Sequence, residues 1–160
     1  MNGRALTDYE RRIVASVAAH GVHVTTVTAE RPFSYSAGFE ETYGEPEAIV
    51  FGLGHGTMGA MVNRLGERYR EGRSYRDAEA VHGILEGFPV VVHAVPAGRI
   101  SRDHFNSAMW LKARSDGEPL ARALQIVWPC DRTGLFPWDE GCPSDAIDLQ
   151  PALYEPRTIQ

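Results

Sequence analysis

The chain has 160 residues, 43% of them hydrophobic, and a formal charge of −5. That length suits one domain, which can bury about 70% of its extended-chain surface. The composition excludes disorder and membrane insertion, and the negative charge argues against a general nucleic-acid or anionic-membrane surface.

No apolar run approaches the ~18 residues of a membrane span. Met1-Asn2-Gly3-Arg4 lacks the apolar core of a signal peptide, so the cytoplasm is the default compartment. A homo-oligomer is left open. Cys130 and Cys142 lack Cys-x-x-Cys spacing. They read first as free thiols, with a disulfide or redox pair and a reactive thiol as alternatives.

Thr7-Asp8-Tyr9-Glu10 is a capping box, in which each end of the turn satisfies the other's amide. It predicts a helix to about Ala19, buried along Ile13, Val14, Val17 and Ala18, with Gly21 as a left-handed stop. Residues 22–29 alternate and are rich in valine and threonine, which predicts a strand. Residues 33–39 form its expected hairpin partner. Residues 40–46 read as an acidic loop, and 48–51 as a strand covered on both faces.

Thr57 is a candidate cap for a helix buried along Met58, Met61, Val62, Leu65 and Tyr69, ending at Gly72. Residues 78–85 and 89–95 are two strands joined through Glu86-Gly87-Phe88. Ser101 is expected to cap a third helix with Phe105, Ala108 and Met109 inside, and 120–128 is the last strand. The total is an α+β domain, a mainly antiparallel sheet of about six strands with about three helices. The whole chain, 1–160, reads as a single domain with an irregular tail from about 143.

The stretch from Gln125 to Trp138 opens as a strand and ends as a loop holding two tryptophans and two prolines. Such a loop must pack its rings somewhere, and we read it as the wall of a pocket. The candidates around it differ in kind. Gly54-His55-Gly56-Thr57-Met58-Gly59 is a literal Gly-x-Gly-x-x-Gly between a strand and a helix. The next elements are strand and strand, where a dinucleotide fold needs a helix. A small-anion site on the amides near His55, or an ordinary turn, fits better.

A two-residue turn at Glu86-Gly87 would set His82 opposite Val91 and make His82 and His93 diagonal neighbours on one face. There they could hold a metal or exchange protons. Their alternative role is separate hydrogen bonding within the sheet. His104, in the first turn of its helix, is expected to be neutral: a base, or a surface histidine. Glu47 faces a cleft or else binds loop amides. Asp131 and Asp139 bracket the aromatic loop as acids or as turn caps.

The segments Tyr35-Ser36-Ala37-Gly38-Phe39, Pro46-Glu47-Ala48-Ile49-Val50-Phe51-Gly52-Leu53 and Gln125-Ile126-Val127-Trp128-Pro129 follow one another in the chain. Asp131-Arg132-Thr133-Gly134-Leu135-Phe136-Pro137-Trp138 completes the set, and Gln150-Pro151 fits as an ending. In that order they resemble the bacterial family called domain of unknown function 4262, over about residues 20–140. The last motif is the most specific. Cys130, inserted between Pro129 and Asp131, and the Gly-His-Gly segment depart from the pattern. The resemblance implies a fold and a pocket location, and no reaction.

The expectation is a small-molecule-binding protein or small tailoring enzyme. Tyr35, Trp128, Phe136, Trp138, His55 and His104 would contact the ligand. His82, His93, Glu47 and Asp131 would supply acid–base chemistry, with His82 and His93 as metal ligands if there is a metal. No cofactor is specified. The alternative is a non-catalytic interaction module, immunity-like or regulatory, with the aromatic loop exposed.

Overall fold

The computed structural model describes residues 4–155. Residues 1–3, used above to exclude a signal peptide, and 156–160 lie outside the described residues. Helix α1 (Asp8–His20) begins with both halves of the capping box made. It ends at Gly21 in the left-handed region. Ile13 is buried, Val14 and Val17 are half-buried, and Ala18, expected inside, is exposed.

Strands β1 (His23–Val27) and β2 (Phe33–Ala37) form the expected hairpin. The acidic loop is instead a short helix, α2 (Phe39–Tyr43), which leads into β3 (Glu47–Phe51). Helix α3 (His55–Arg70) buries the five residues its periodicity indicated. Its cap is Gly54, so Thr57 lies inside the first turn rather than before it.

The second hairpin is β4 (Glu79–Leu85) and β5 (Phe88–Ala94). Helix α4 (Arg102–Asp116) starts at Ser101 without a side-chain cap bond and kinks at Phe105. Strand β6 (Ala123–Val127) is fully buried, and a short α5 (Ser144–Asp148) stands in the tail expected to be irregular. Among the described residues no helix is long and apolar enough to cross a membrane.

The sheet order is β1-β2-β3-β6-β5-β4, antiparallel everywhere except between β3 and β6. The fold is α+β. Alternation along each strand divides the core in two. Ala48, Val50, Val90, Val92, Leu124 and Ile126 meet α3 and Ala146 of α5 on one face. Phe33, Tyr35, Ile49, Phe51 and Ala123 meet α1 and α4 on the other. Gly52, just past β3, has φ +82°, and a Cβ there would stand 2.6 Å from the Leu149 carbonyl oxygen. The end of α5 closes against bare backbone at that point.

Candidate functional site

His93 sits on β5 paired with Gln125 of β6, on the face opposite Val90 and Val92. It is 7% exposed. Its Nδ1 lies 3.3 Å from Oδ1 of Asp77, and that same oxygen accepts from the Ala94 amide at 2.9 Å. The ring stacks on Tyr154 (centroids 4.3 Å apart, planes 13° apart) and meets the edge of Trp138 at 4.8 Å. Phe136 stacks flat on Trp138, with centroids 5.1 Å apart.

The rings of His93, Trp138 and Tyr154 border a hollow of about 570 Å³, whose wall also includes Val91, Gln150 and Pro151. Ala78 lines it too. Among the described residues Ala78 alone holds a positive φ without being glycine, +66°. That conformation costs about 1–2 kcal/mol, and it falls next to the carboxylate that steadies His93.

The tail reaches this place because two buried amides hold it. Gln125 Nε2 donates to the Pro151 carbonyl (3.0 Å), and its Oε1 accepts from the Leu153 amide (2.9 Å). Gln150 does the same for Trp128: Oε1 accepts from the backbone amide and Nε2 donates to the carbonyl, both at 3.0 Å. The Gln–x–x–Trp spacing therefore works as a dock for the C-terminal segment. A buried glutamine inside an apolar strand was the signal that could have announced it.

Trp128 turns away from the hollow. It is buried on the α3 side, with Nε1 donating to the Phe51 carbonyl at 2.7 Å. The pocket wall expected from two indoles is built from Trp138 and Tyr154, with Phe136 stacked on Trp138.

His82 does not join His93. Leu85 faces Phe88 as expected, but Val81 faces Val90 and Ala80 faces Val91. Four steps along β4 thus span two along β5, and the surplus bulges out around Gly83, whose φ is +84°. His82 is exposed and lines a separate edge hollow with Arg68, Glu71 and Tyr75. Among the described residues no three His, Cys, Asp or Glu side chains gather as a metal site would need.

Glu47 belongs to one of the resembling motifs, and its carboxylate binds Ser36, Gly38 and Phe39 of another. It is 1% exposed. Oε1 accepts from Ser36 Oγ at 2.6 Å and from the Phe39 amide at 3.1 Å; Oε2 accepts from the Gly38 and Glu40 amides, both at 3.1 Å. It caps α2 from a later strand. Burial pushes its carboxyl up to about 7, against the pull of those donors, and the Glu41 charge adds to the rise.

Tyr35 is buried on the α4 side, its hydroxyl accepting from the Ser107 amide (3.0 Å) and Ser107 Oγ (2.8 Å). His104 packs its edge on Phe33 and Phe51, and burial lowers its pKa despite Asp103. His55 is exposed in the first turn of α3, where an added Cβ at Gly56 or Gly59 would touch nothing within 4 Å. No close approach therefore requires glycine there. Asp131 is exposed on a different hollow, beside Arg132 and Asp145.

Of the residues expected in one site, the structure brings together His93, Phe136 and Trp138. Sequence reasoning missed Asp77 and Tyr154, which meet His93 only through the fold. Neither a curated protein nor a solved structure matches the chain. The family model described as domain of unknown function 4262 matches residues 16–143, and the chain belongs to that family.

Proposed function

We propose that the protein binds a small molecule in the hollow beside His93, and that His93 is the acid–base group of that site. The observation that carries this reading is the His93–Asp77 contact set among the rings of Trp138 and Tyr154. With Nδ1 donating to the carboxylate, Nε2 is the basic nitrogen of the ring. The aromatic and proline walls suit a ligand with an apolar, planar part, and about 570 Å³ is the size of a small-molecule site. The strained Ala78 beside Asp77 is the kind of cost that functional sites carry. A cytoplasmic setting belongs to the same proposal, as does a partner other than nucleic acid, which rests on the formal charge of −5.

Native mass spectrometry of protein purified gently from its own host tests it. A retained small molecule, lost in His93→Ala and kept in His82→Ala, is the expected result. No retained mass, together with no thermal shift from a metabolite library, would remove the proposal.

A second reading is an interaction module. Trp138 is 40% exposed and Ile147 39%, and both border the same hollow. An apolar patch of that kind can seat a partner's side chain. Loss of a co-purifying protein, rather than a small mass, in Trp138→Ala would favour it.

A further inference from the structure

Cys130 follows β6 in a tight turn. Its amide donates to the Leu135 carbonyl (2.8 Å), and its own carbonyl accepts from the Gly134 amide (2.7 Å). Arg132 Nη2 lies 3.7 Å from Cys130 Sγ and binds both oxygens of Asp145, at 2.7 and 2.8 Å. Cys142 comes back to the same place: its Sγ is 3.7 Å from the Leu135 carbonyl oxygen that holds Cys130.

Both cysteines are free thiols. Cys130 is 2% exposed, yet it lines a hollow of about 460 Å³ with Trp128, Arg132 and Asp145, room for a small oxidant. Burial opposes ionisation of Cys130, but donors from Arg132 and Thr133 outweigh it and hold its pKa below the ordinary thiol value. Burial and the neighbouring Cys130 push Cys142 the other way. The two thiols are thus unequal: Cys130 ionises more readily than an ordinary thiol and Cys142 less readily.

We propose that Cys130 and Cys142 are a peroxide-responsive pair, in which Cys130 is oxidised first and Cys142 resolves it to a disulfide. The Cys130 thiolate attacks one oxygen of hydrogen peroxide, breaks the O–O bond, and becomes a sulfenic acid as hydroxide leaves. The Cys142 sulfur then attacks the sulfenic sulfur. The S–O bond breaks, the Cys142 proton leaves with the oxygen as water, and the S–S bond forms. Peroxide is reduced and two thiols are oxidised. The segment closed by that bond carries Phe136 and Trp138, so the bond ties the two ends of the loop that walls the His93 hollow. The thiol chemistry stands independently of the ligand proposed for that hollow.

The test uses the full-length protein, reduced, desalted and treated with a modest excess of hydrogen peroxide. Wild type should lose about 2 Da, with both thiols disappearing together, and dithiothreitol should restore them. Cys142→Ser should instead gain about 16 Da at Cys130, trapped by dimedone. Arg132→Gln should slow alkylation of Cys130 at neutral pH about tenfold. An unchanged wild-type mass, independent oxygen additions at each cysteine, or a bond between two molecules would each overturn the proposal. Wild type alone decides these outcomes, so no variant has to fold for the test to count.

Discussion

Replacing Glu47 by glutamine turns a buried ionisable group into a neutral one of nearly the same shape. In the unfolded chain this carboxyl titrates near 4.5; in the folded protein burial lifts it to about 7. Between those values the folded state keeps a proton that the unfolded chain has released. Stability from Glu47 is therefore complete below pH 4.5, is lost as pH rises towards 7, and stays flat above. Over that span, at about 1.4 kcal/mol per pH unit, the loss is about 3 kcal/mol, or about 10 °C in Tm for a domain of this size.

The assay is urea denaturation of wild type and Glu47→Gln across pH 4.5–8. The difference between the two curves isolates Glu47 from the exposed carboxylates. Wild type should lose ground to the variant by about 3 kcal/mol as pH rises. Parallel curves, or a variant that weakens relative to wild type with rising pH, would refute this reasoning. They would show that the Ser36, Gly38, Phe39 and Glu40 donors, not burial, decide the charge.

Other outcomes follow from the packing. Gly52→Ala forces a positive φ on alanine and drives its Cβ into Leu149, so it should cost about 2–4 kcal/mol in denaturation. Gln125→Leu removes both bonds to the C-terminal segment. It should lower stability by about 1–3 kcal/mol and open the chain near Pro151 to limited proteolysis; unchanged cleavage would contradict the docking role. Trp138→Ala, at a half-open position, should change unfolding by less than about 1 kcal/mol while abolishing any small-molecule retention. An equal loss of stability and retention would mean that Trp138 is structural.

What could be read from the sequence was what its neighbours decide. The Thr7–Glu10 capping box, the Met58–Tyr69 stripe and the Glu86-Gly87 turn involve residues within a few positions of each other, and all three formed. What escaped depends on distant partners. Helix α2 was read as a loop because its cap is the Glu47 carboxylate, which arrives after it in the chain. The bulge at Gly83 separated His82 from His93, and a two-residue hairpin turn gives no warning of it. The tail looked irregular because its order comes from Gln125 and Trp128, more than twenty residues earlier. For the same reason Asp77 and Tyr154 were invisible beside His93. The proline-bearing loop and its motif brought Trp138 to notice, and only the fold shows that Trp128 faces elsewhere.

The protein's three tryptophans make one measurement decisive. In a 15N-correlated NMR spectrum each indole N–H gives its own peak. Trp128 is locked on the Phe51 carbonyl, Trp110 lies on α4, and Trp138 walls the His93 hollow. On adding the low-molecular-weight fraction of the host's extract, the Trp138 peak and the amides of Ala78, Val91 and His93 should move while the other two indoles stay. Movement of Trp110 alone, or of no indole at all, would contradict a ligand site at His93.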